Sequence, residues 1–298
     1  MMSQKVLVPK TLPEFKKILT DYGSQCTLLA GGTDLLVEMR KQQRPVETIV
    51  DLSYLDSLRG ITQDKDWISI GAMTTFSELA GSRLIYENGK CLWEAAGRIG
   101  STQIRNMATI GGNIANAAPA ADGVCALLAL KAELLVTDGI TERWVSLEQY
   151  LDSRIACPAN QPEAILTIRF SKAEEGQYSA FAKLGKRSSV TISQLILACT
   201  LTMDRNHVIQ NAVVVLGAIG MRGFYDQSTS HWLVGKRCST SLKTELWDQL
   251  AQSIEAAIPG RASMPYKRIS VMGLVDDVLR DLMMPNDSAP FLAKAQSR

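Results

Sequence analysis

The chain has 298 residues, of which 46% are hydrophobic and 21% charged, a composition typical of a globular protein with one or two hydrophobic cores. Its 32 basic and 30 acidic side chains give a net charge of +2, so nothing indicates nucleic acid or an anionic membrane as a partner. No apolar run approaches the ~20 residues of a membrane span, and the first residues lack the apolar core of a signal peptide. We therefore expect a cytoplasmic protein with no membrane span.

The cysteines and histidines give no pattern of a metal site. A zinc or iron–sulfur site usually takes two ligands from one local turn, but the sequence has no C-x-x-C and only two histidines, His207 and His231. We expect no bound metal, and we expect the cysteines to be small buried apolar side chains. These cysteines are Cys26, Cys91, Cys125, Cys157, Cys199 and Cys238.

The first third of the chain predicts short helices and strands. Residues 11–14 (TLPE) have the pattern of a capping box, which predicts a helix that ends near Gly23. An apolar strand at 26–30 is followed at once by a diglycine turn and an amphipathic helix. The further predictions are strands at 47–52 and 67–72, a short helix opened by a second capping box at 75–78, and a helix at 84–99.

The middle of the chain changes from small and polar residues to an apolar helix at about 122–130. Predicted strands at 133–138 and 164–170 flank a section that we expect to be mostly loop. Beyond residue 176 come three predicted strands, at 178–184, 190–203 and 208–219, and then three helices, at 228–234, 241–258 and 269–284. Strands followed by helices predict a separate α+β unit with a three-stranded antiparallel sheet. We expect domains at 1–174 and 177–284, and a polar tail at 285–298.

Two diglycine motifs, at 29–34 (LAGGTD) and 109–113 (TIGGN), are the candidate binding elements. Glycine reaches positive φ and lets the backbone approach a ligand closely, so consecutive N–H groups can surround an anion. Two such motifs could hold a diphosphate from both sides. Neither has the spacing of a Rossmann fingerprint or a P-loop, and Gly-Gly after a strand is often a plain turn. From these residues alone, a diphosphate ligand and two ordinary turns both stay open.

The two motifs together resemble the paired FAD motifs of molybdenum hydroxylase flavoproteins. These are the medium subunits of xanthine dehydrogenase, carbon monoxide dehydrogenase and nicotinate dehydrogenase. The matching segments are 30–36 (AGGTDLL) and 109–122 (TIGGNIANAAPAAD), and the similarity extends through 180–187 (AFAKLGKR) to a variant late motif at 261–268 (RASMPYKR). The chain departs from the family's frequent Ala-Pro-x-Pro pattern at 219–223, and it lacks the cysteine-rich insertion of some relatives.

The resemblance implies an FAD-binding domain of the vanillyl-alcohol-oxidase type with lobes at about 1–56 and 57–174. In this interpretation the two glycine motifs hold the diphosphate, Asp122 reaches the sugar or adenine end, and Ile165 and Lys183 lie near the flavin ring. Ile165 could instead be a strand core residue and Lys183 a solvated lysine. The implied FAD-binding residues are Thr27, Leu28, Leu29, Ala30, Gly31, Gly32, Thr33, Asp34, Thr109, Ile110, Gly111, Gly112, Asn113, Asp122, Ile165 and Lys183.

The resemblance also implies partners and a reaction. A large molybdopterin subunit would hydroxylate the substrate, for which a purine or another N-heterocycle is the expected class. A small subunit with [2Fe–2S] clusters would pass electrons to FAD in this chain, which would reduce NAD+ by hydride transfer without a catalytic side chain. We expect non-covalent FAD because both histidines lie in the second unit and neither glycine motif contains cysteine. The alternatives are a stand-alone flavin oxidase and a non-catalytic nucleotide-binding protein.

Overall fold

The computed structural model describes residues 5–41, 46–156, 163–187 and 190–283. The expected polar tail, the prolines at 158 and 162, and Cys157 lie outside these residues. The described part is an α+β fold with three separate sheets, so the predicted fold class is confirmed. Among the described residues, no helix combines the length and the apolar composition needed to cross a bilayer.

A small parallel sheet forms the N-terminal part. Its elements, in chain order, are β1 (Lys5–Leu7), α1 (Leu12–Tyr22), β2 (Cys26–Leu29), α2 (Leu35–Arg40) and β3 (Thr48–Asp51). The strand order is β1-β3-β2, which leaves β2 at an edge just before the first glycine motif. Helix α1 begins where the capping pattern predicts: the Thr11 hydroxyl accepts the Glu14 N–H at 3.3 Å. The Glu14 carboxylate reaches the N–H of Lys10 instead of Thr11, so the capping box is only half formed.

An antiparallel five-stranded sheet and seven helices follow. In chain order they are β4 (Ile61–Gln63), β5 (Trp67–Gly71), α3 (Phe76–Gly81), α4 (Arg83–Asn88), α5 (Lys90–Arg98), α6 (Thr102–Met107), α7 (Ile110–Asn116), α8 (Asp122–Ala129), β6 (Glu133–Thr137), β7 (Glu142–Ser146), α9 (Leu147–Ala156) and β8 (Ala164–Ser171). The strand order is β4-β5-β8-β6-β7.

Two predictions for this region were wrong. The helix expected at 84–99 is divided at Gly89, which ends α4 and begins α5. A Cβ on Gly89 would lie 2.9 Å from Leu130 and 3.1 Å from Phe170. The break between the two helices therefore lies where the backbone packs closely against the core. The section expected to be mostly loop contains β7 and α9, and β7 was missed because its first three residues are exposed and polar or aromatic, without an apolar face.

The C-terminal part is an antiparallel sheet whose own helices α11 and α12 pack on one of its faces. Its elements are β9 (Gln177–Leu184), β10 (Leu195–Met203), β11 (Ile209–Gly217), β12 (Phe224–Tyr225), α10 (Gln227–Leu233), α11 (Lys243–Ala257) and α12 (Met264–Met283). The three predicted strands are present, and β12 adds a fourth at the edge beside β11. Two residues are too few for an alternating pattern, so β12 could not be predicted. Helix α12 begins before residue 269 because Pro265 is tolerated in a first turn.

The C-terminal sheet is buried on both faces. Phe181 and Ile196 pack into the same core as helices α5 and α8 and the five-stranded sheet, whereas Ala182 and Leu197 pack into a second core with α11 and α12. Alternate residues of one strand therefore serve different cores. A third core joins α1 and the parallel sheet to the far face of the five-stranded sheet through Leu166. The molecule is layered, and α8 lies between the two large sheets.

Candidate functional site

The first glycine motif is an open turn between β2 and α2. Gly32 has a φ of 68°, a conformation that few other residues adopt easily. Gly31 has an ordinary φ but is needed for packing, since an added Cβ would lie 2.7 Å from the Met107 carbonyl carbon and would overlap its oxygen. The motif is therefore pressed against the end of α6, and the turn has the conformation that its sequence predicted.

The backbone of this turn has unused donors. The N–H groups of Gly31, Gly32 and Thr33 donate no hydrogen bond to any other described residue, and the three residues are half-exposed. Farther on, the Gly32 and Asp34 carbonyls accept the first hydrogen bonds of α2. Consecutive unpaired N–H groups at a glycine turn can bind an anion, so this turn has the free donors that a diphosphate ligand needs.

The second glycine motif differs from the prediction because it is the start of α7 and not a loop. Thr109 is the N-cap, and its hydroxyl accepts the Gly112 N–H at 3.1 Å. The Ile110 and Gly111 N–H groups bond to the carbonyls of Thr74 and Ala72 at 3.0 and 2.9 Å. The Asn113 N–H donates to the Thr109 carbonyl. These four N–H groups have partners inside the chain, so within 109–113 only the Thr109 N–H donates to no other described residue.

The glycines of α7 allow close packing instead. A Cβ on Gly111 would lie 2.7 Å from both the Cβ and the carbonyl oxygen of Ala72. A Cβ on Gly112 would lie 3.6 Å from the Cβ of Ala30 in the first motif. The Asn116 amide also donates to the Asp34 carboxylate at 3.0 Å. The structure thus brings the two motifs together, as the sequence predicted; among the described residues the first motif leaves three N–H groups unpaired and the second leaves only that of Thr109.

Asn113 carries an unmet acceptor. Its Oδ1 is buried and has no hydrogen-bond partner among the described residues, and a Cβ on Gly123 would lie 2.7 Å from it. A buried carbonyl without a donor is costly, and this oxygen is free to accept a hydrogen bond from a ligand hydroxyl or N–H. The unpaired Asn113 oxygen therefore fits a cofactor that carries hydrogen-bond donors as well as phosphate groups.

A buried polar cluster lies where the first large core meets the C-terminal sheet. Asp122 is the first residue of α8, and its Oδ2 lies 2.6 Å from the Lys183 ammonium of β9. The other carboxylate oxygen accepts from the Ser193 hydroxyl at 2.6 Å. Lys183 also donates to the Arg98 carbonyl at 2.8 Å. Only 8% of the lysine side chain and 6% of the aspartate side chain are exposed, so the alternative of a solvated lysine is wrong.

The charges of this cluster are balanced within the protein. Asp122 occupies the first turn of α8, where the helix dipole favours a negative charge. Lys183 bonds to the carbonyl of the last residue of α5, where the dipole favours a positive charge. Burial raises the pKa of the Asp122 carboxyl, and the charge of Lys183 opposes this effect. A buried ion pair persists when its polar atoms have such partners.

The contact between Asp122 and Lys183 bears on their predicted roles. The resemblance assigned Asp122 to the sugar or adenine end and Lys183 to the flavin ring, yet their charged atoms are 2.6 Å apart. One part of a ligand would therefore reach both. Ile165 is 8% exposed and packs in the first large core, which agrees with its alternative as a strand core residue, and its contact with a flavin ring stays a prediction.

Three contributors to the site were missed from the sequence. Asn116 lies inside the second motif, one helical turn after Asn113, so a helical interpretation of that segment would have found it. The Arg98 carbonyl and Ser193 had no local signal, because their role comes only from the packing of β9 and β10 against the helices.

Cys26 is half-exposed and donates to the Gly23 carbonyl at 3.3 Å, contrary to the expectation of a buried thiol.

Metal ligands do not cluster in this region. Within residues 5–41, 46–156, 163–187 and 190–283, no three His, Cys, Asp or Glu side chains are placed to hold a metal ion. The polar groups that the described site presents are N–H donors, an amide oxygen and one ion pair.

Comparison with known families matches both halves of the chain. Residues 2–170 match the model of the FAD binding domain in molybdopterin dehydrogenase, which covers the two glycine motifs and Asp122. The chain belongs to this family. Residues 180–282 match the CO dehydrogenase flavoprotein C-terminal domain, which includes Lys183 and Ser193. The polar cluster therefore joins the two matched regions of a molybdopterin dehydrogenase flavoprotein.

Individual relatives agree with the family. The chain is 30% identical over 279 residues to the nicotinate dehydrogenase FAD-subunit of Eubacterium barkeri, which covers 92% of this chain and 94% of the relative. It is 32% identical over 199 residues to the xanthine dehydrogenase FAD-binding subunit of Escherichia coli O157:H7, covering 66% and 68%. A chain of the Cu,Mo-CO dehydrogenase crystal structure superposes with a TM-score of 0.83 at 25% identity, covering 94% and 97%. The relatives are FAD subunits of dehydrogenases, and the fold of this flavoprotein is theirs.

Proposed function

We propose that this flavoprotein is the FAD-binding, electron-transferring subunit of a molybdenum-dependent hydroxylase. One observation carries the proposal: in a chain of this family, the open glycine turn lies against the second motif, and residues of both motifs contact each other. The family match supports FAD and an oxidoreductase subunit. The roles of single residues, the acceptor and the partner subunits go further and are part of the proposal.

The donors and acceptors at the site fit the parts of FAD. The free N–H groups of Gly31, Gly32 and Thr33 would hold the diphosphate. The unmet Asn113 Oδ1 would accept from a ribityl hydroxyl or a ring N–H. Lys183 has three N–H donors, and the two bonds described above leave one for the ligand. Diphosphate, hydroxyl and ring groups would each find a complementary partner.

FAD, when bound, supplies the redox chemistry, since it accepts electrons and passes them on as a hydride. The residues of the chain bind and orient it. Asp122 is poorly placed to act as an acid or base, because both of its oxygens are engaged and it is almost fully buried. This supports the expectation that the chain needs no catalytic side chain of its own.

We further propose the partners that the family resemblance implies. A small subunit with [2Fe–2S] clusters would deliver electrons, a large molybdopterin subunit would hydroxylate the substrate, and NAD+ would accept the electrons. The names of the relatives support a subunit role, since they describe an FAD-subunit and medium chains. The expected cytoplasmic location stays a prediction.

The first experiment is to purify the chain, add FAD, remove the excess and record the visible spectrum. We expect flavin absorbance that moves to the supernatant after acid precipitation. Both histidines lie beyond the first domain, so neither is expected to attach the flavin covalently. A protein that stays colourless after incubation with FAD would contradict the FAD site. Colour that remains with the precipitate would contradict non-covalent binding.

A second experiment tests the partners. The chain is co-expressed with candidate molybdopterin and iron–sulfur subunits from the same organism, and NAD+ reduction is compared with that of the chain alone. We expect substrate-dependent reduction only with the partners. Substrate oxidation by the isolated chain with oxygen would instead identify a stand-alone oxidase.

A further inference from the structure

We propose that Ser193 is a positioning residue for the flavin site, which holds the Asp122 carboxylate so that Asp122 in turn holds the Lys183 ammonium toward the ligand. The inference rests on the proposed function and assigns a role to a residue outside the predicted site. Ser193 is 6% exposed, and its hydroxyl lies 2.6 Å from Asp122 Oδ1. Among the described residues, its side-chain hydrogen bond is thus to the charge partner of Lys183.

The backbone fixes the place of Ser193. The next residue, Gln194, donates its N–H to the Leu184 carbonyl at 2.7 Å, which closes the ladder between β9 and β10. Lys183 lies in the same ladder, opposite Ile196. Lys183 lies on β9 and Ser193 lies two residues before β10, so both belong to one hairpin and meet at the carboxylate of Asp122 on α8.

The division of the carboxylate explains why a hydroxyl is needed. Lys183 occupies one oxygen of Asp122 and Ser193 the other, so the plane of the carboxylate is defined by two donors from the same hairpin. A carboxylate held by one donor can rotate about its terminal side-chain bond, where the energy wells are broad. Without Ser193 the ammonium would have a movable partner, and the direction of its third N–H would be less well defined.

A structural hydrogen bond of the same kind provides the control. Ser179 of β9 is 8% exposed, and its hydroxyl accepts the Cys91 N–H of α5 at 3.1 Å. Like Ser193, it joins the C-terminal sheet to the helix layer, but no charged group takes part. Ser179→Ala and Ser193→Ala both remove one buried serine hydroxyl, and only the second one frees an ion-pair partner.

The test compares Ser193→Ala, Ser193→Thr and Ser179→Ala in the full chain. FAD affinity is measured by titrating the FAD-free protein, and the flavin midpoint potential by reductive titration. We expect Ser193→Ala to weaken FAD binding about ten-fold and to lower the midpoint potential, since a positive charge near the ring favours reduced flavin. Ser193→Thr keeps the hydroxyl and should restore both values. Ser179→Ala should lower stability alone.

The outcomes separate the two proposals. If Ser193→Ala binds FAD with the wild-type affinity and potential, Ser193 is only structural and the inference is wrong. If the wild-type chain itself takes up no FAD, the proposed function fails, and the inference fails with it. Ser193→Cys replaces the alanine variant if that one does not fold: a thiol is a weak donor, so intermediate affinity is expected and wild-type affinity would overturn the inference.

Discussion

Gly31 shows how one missing side chain can determine the shape of a binding turn. Its φ is ordinary, so glycine is not required there for its conformation. It is required because the Met107 carbonyl occupies the position that a Cβ would take. The sequence predicted Gly31 as a site residue and gave conformational freedom as the reason, but a positive φ is found at Gly32 alone in this turn. Contact with α6 is a tertiary feature, and no local pattern at 29–34 contains it.

Gly31→Ala should therefore damage both packing and binding. The new methyl group forces the turn away from α6, so we expect the free energy of unfolding to fall by about 1–3 kcal/mol and the FAD dissociation constant to rise at least about ten-fold. Urea denaturation and FAD titration measure the two effects. Gly81→Ala is the control, because nothing lies within 4 Å of an added Cβ there. Unchanged FAD affinity in Gly31→Ala would contradict this account of the turn.

At the scale of elements, the sequence predicted what local signals encode. The helix starts at Thr11 and Thr75 and the strands of the C-terminal sheet were found because capping residues and apolar runs are local signals. The second glycine motif was interpreted as a turn because Gly-Gly is typical of turns, yet hydrogen bonds to the carbonyls of Ala72 and Thr74 hold it at the start of a helix. The Ser193 contact was equally invisible, since it joins residues 71 positions apart.

The capping box of α3 supports the second motif. Thr75 accepts the Glu78 N–H at 3.3 Å and Glu78 reaches back to the Thr75 N–H at 2.6 Å, while the Phe76 N–H bonds to Ala108 beside the N-cap of α7. Thr75→Ala should lower the free energy of unfolding by about 1 kcal/mol, measured by urea denaturation. Thr75→Ser keeps the hydroxyl and should retain the stability. Equal losses in both variants would mean that the cap is unimportant.

For the whole molecule, the buried thiols predict a stability limit at high pH. Burial raises the pKa of the Cys91 thiol from 9.0 to about 12, and it also raises the pKa of Cys125 and Cys199. The folded state keeps these protons above pH 9 while the unfolded chain loses them. The buried thiols therefore contribute fully to the free energy of unfolding below pH 9. Above pH 9 the free energy of unfolding falls by about 1.4 kcal/mol per thiol and pH unit.

Urea denaturation at pH 8, 9 and 10 measures this decline. The Cys199→Ala variant is the control, because it should be less stable at pH 8 but should lose less stability between pH 9 and pH 10 than the wild type. Stability that does not change between pH 8 and pH 10 would show that the thiols are not shielded from water.

The order of the polar cluster along the chain has a consequence for synthesis. A ribosome delivers both glycine motifs and Asp122 before it has made Lys183 or Ser193. A nascent chain at that stage would have to bury the aspartate without a partner, and α8 would lack the sheet that covers it. This half of the core must therefore close late, and full-affinity loading of the cofactor has to wait until β10 has left the exit tunnel.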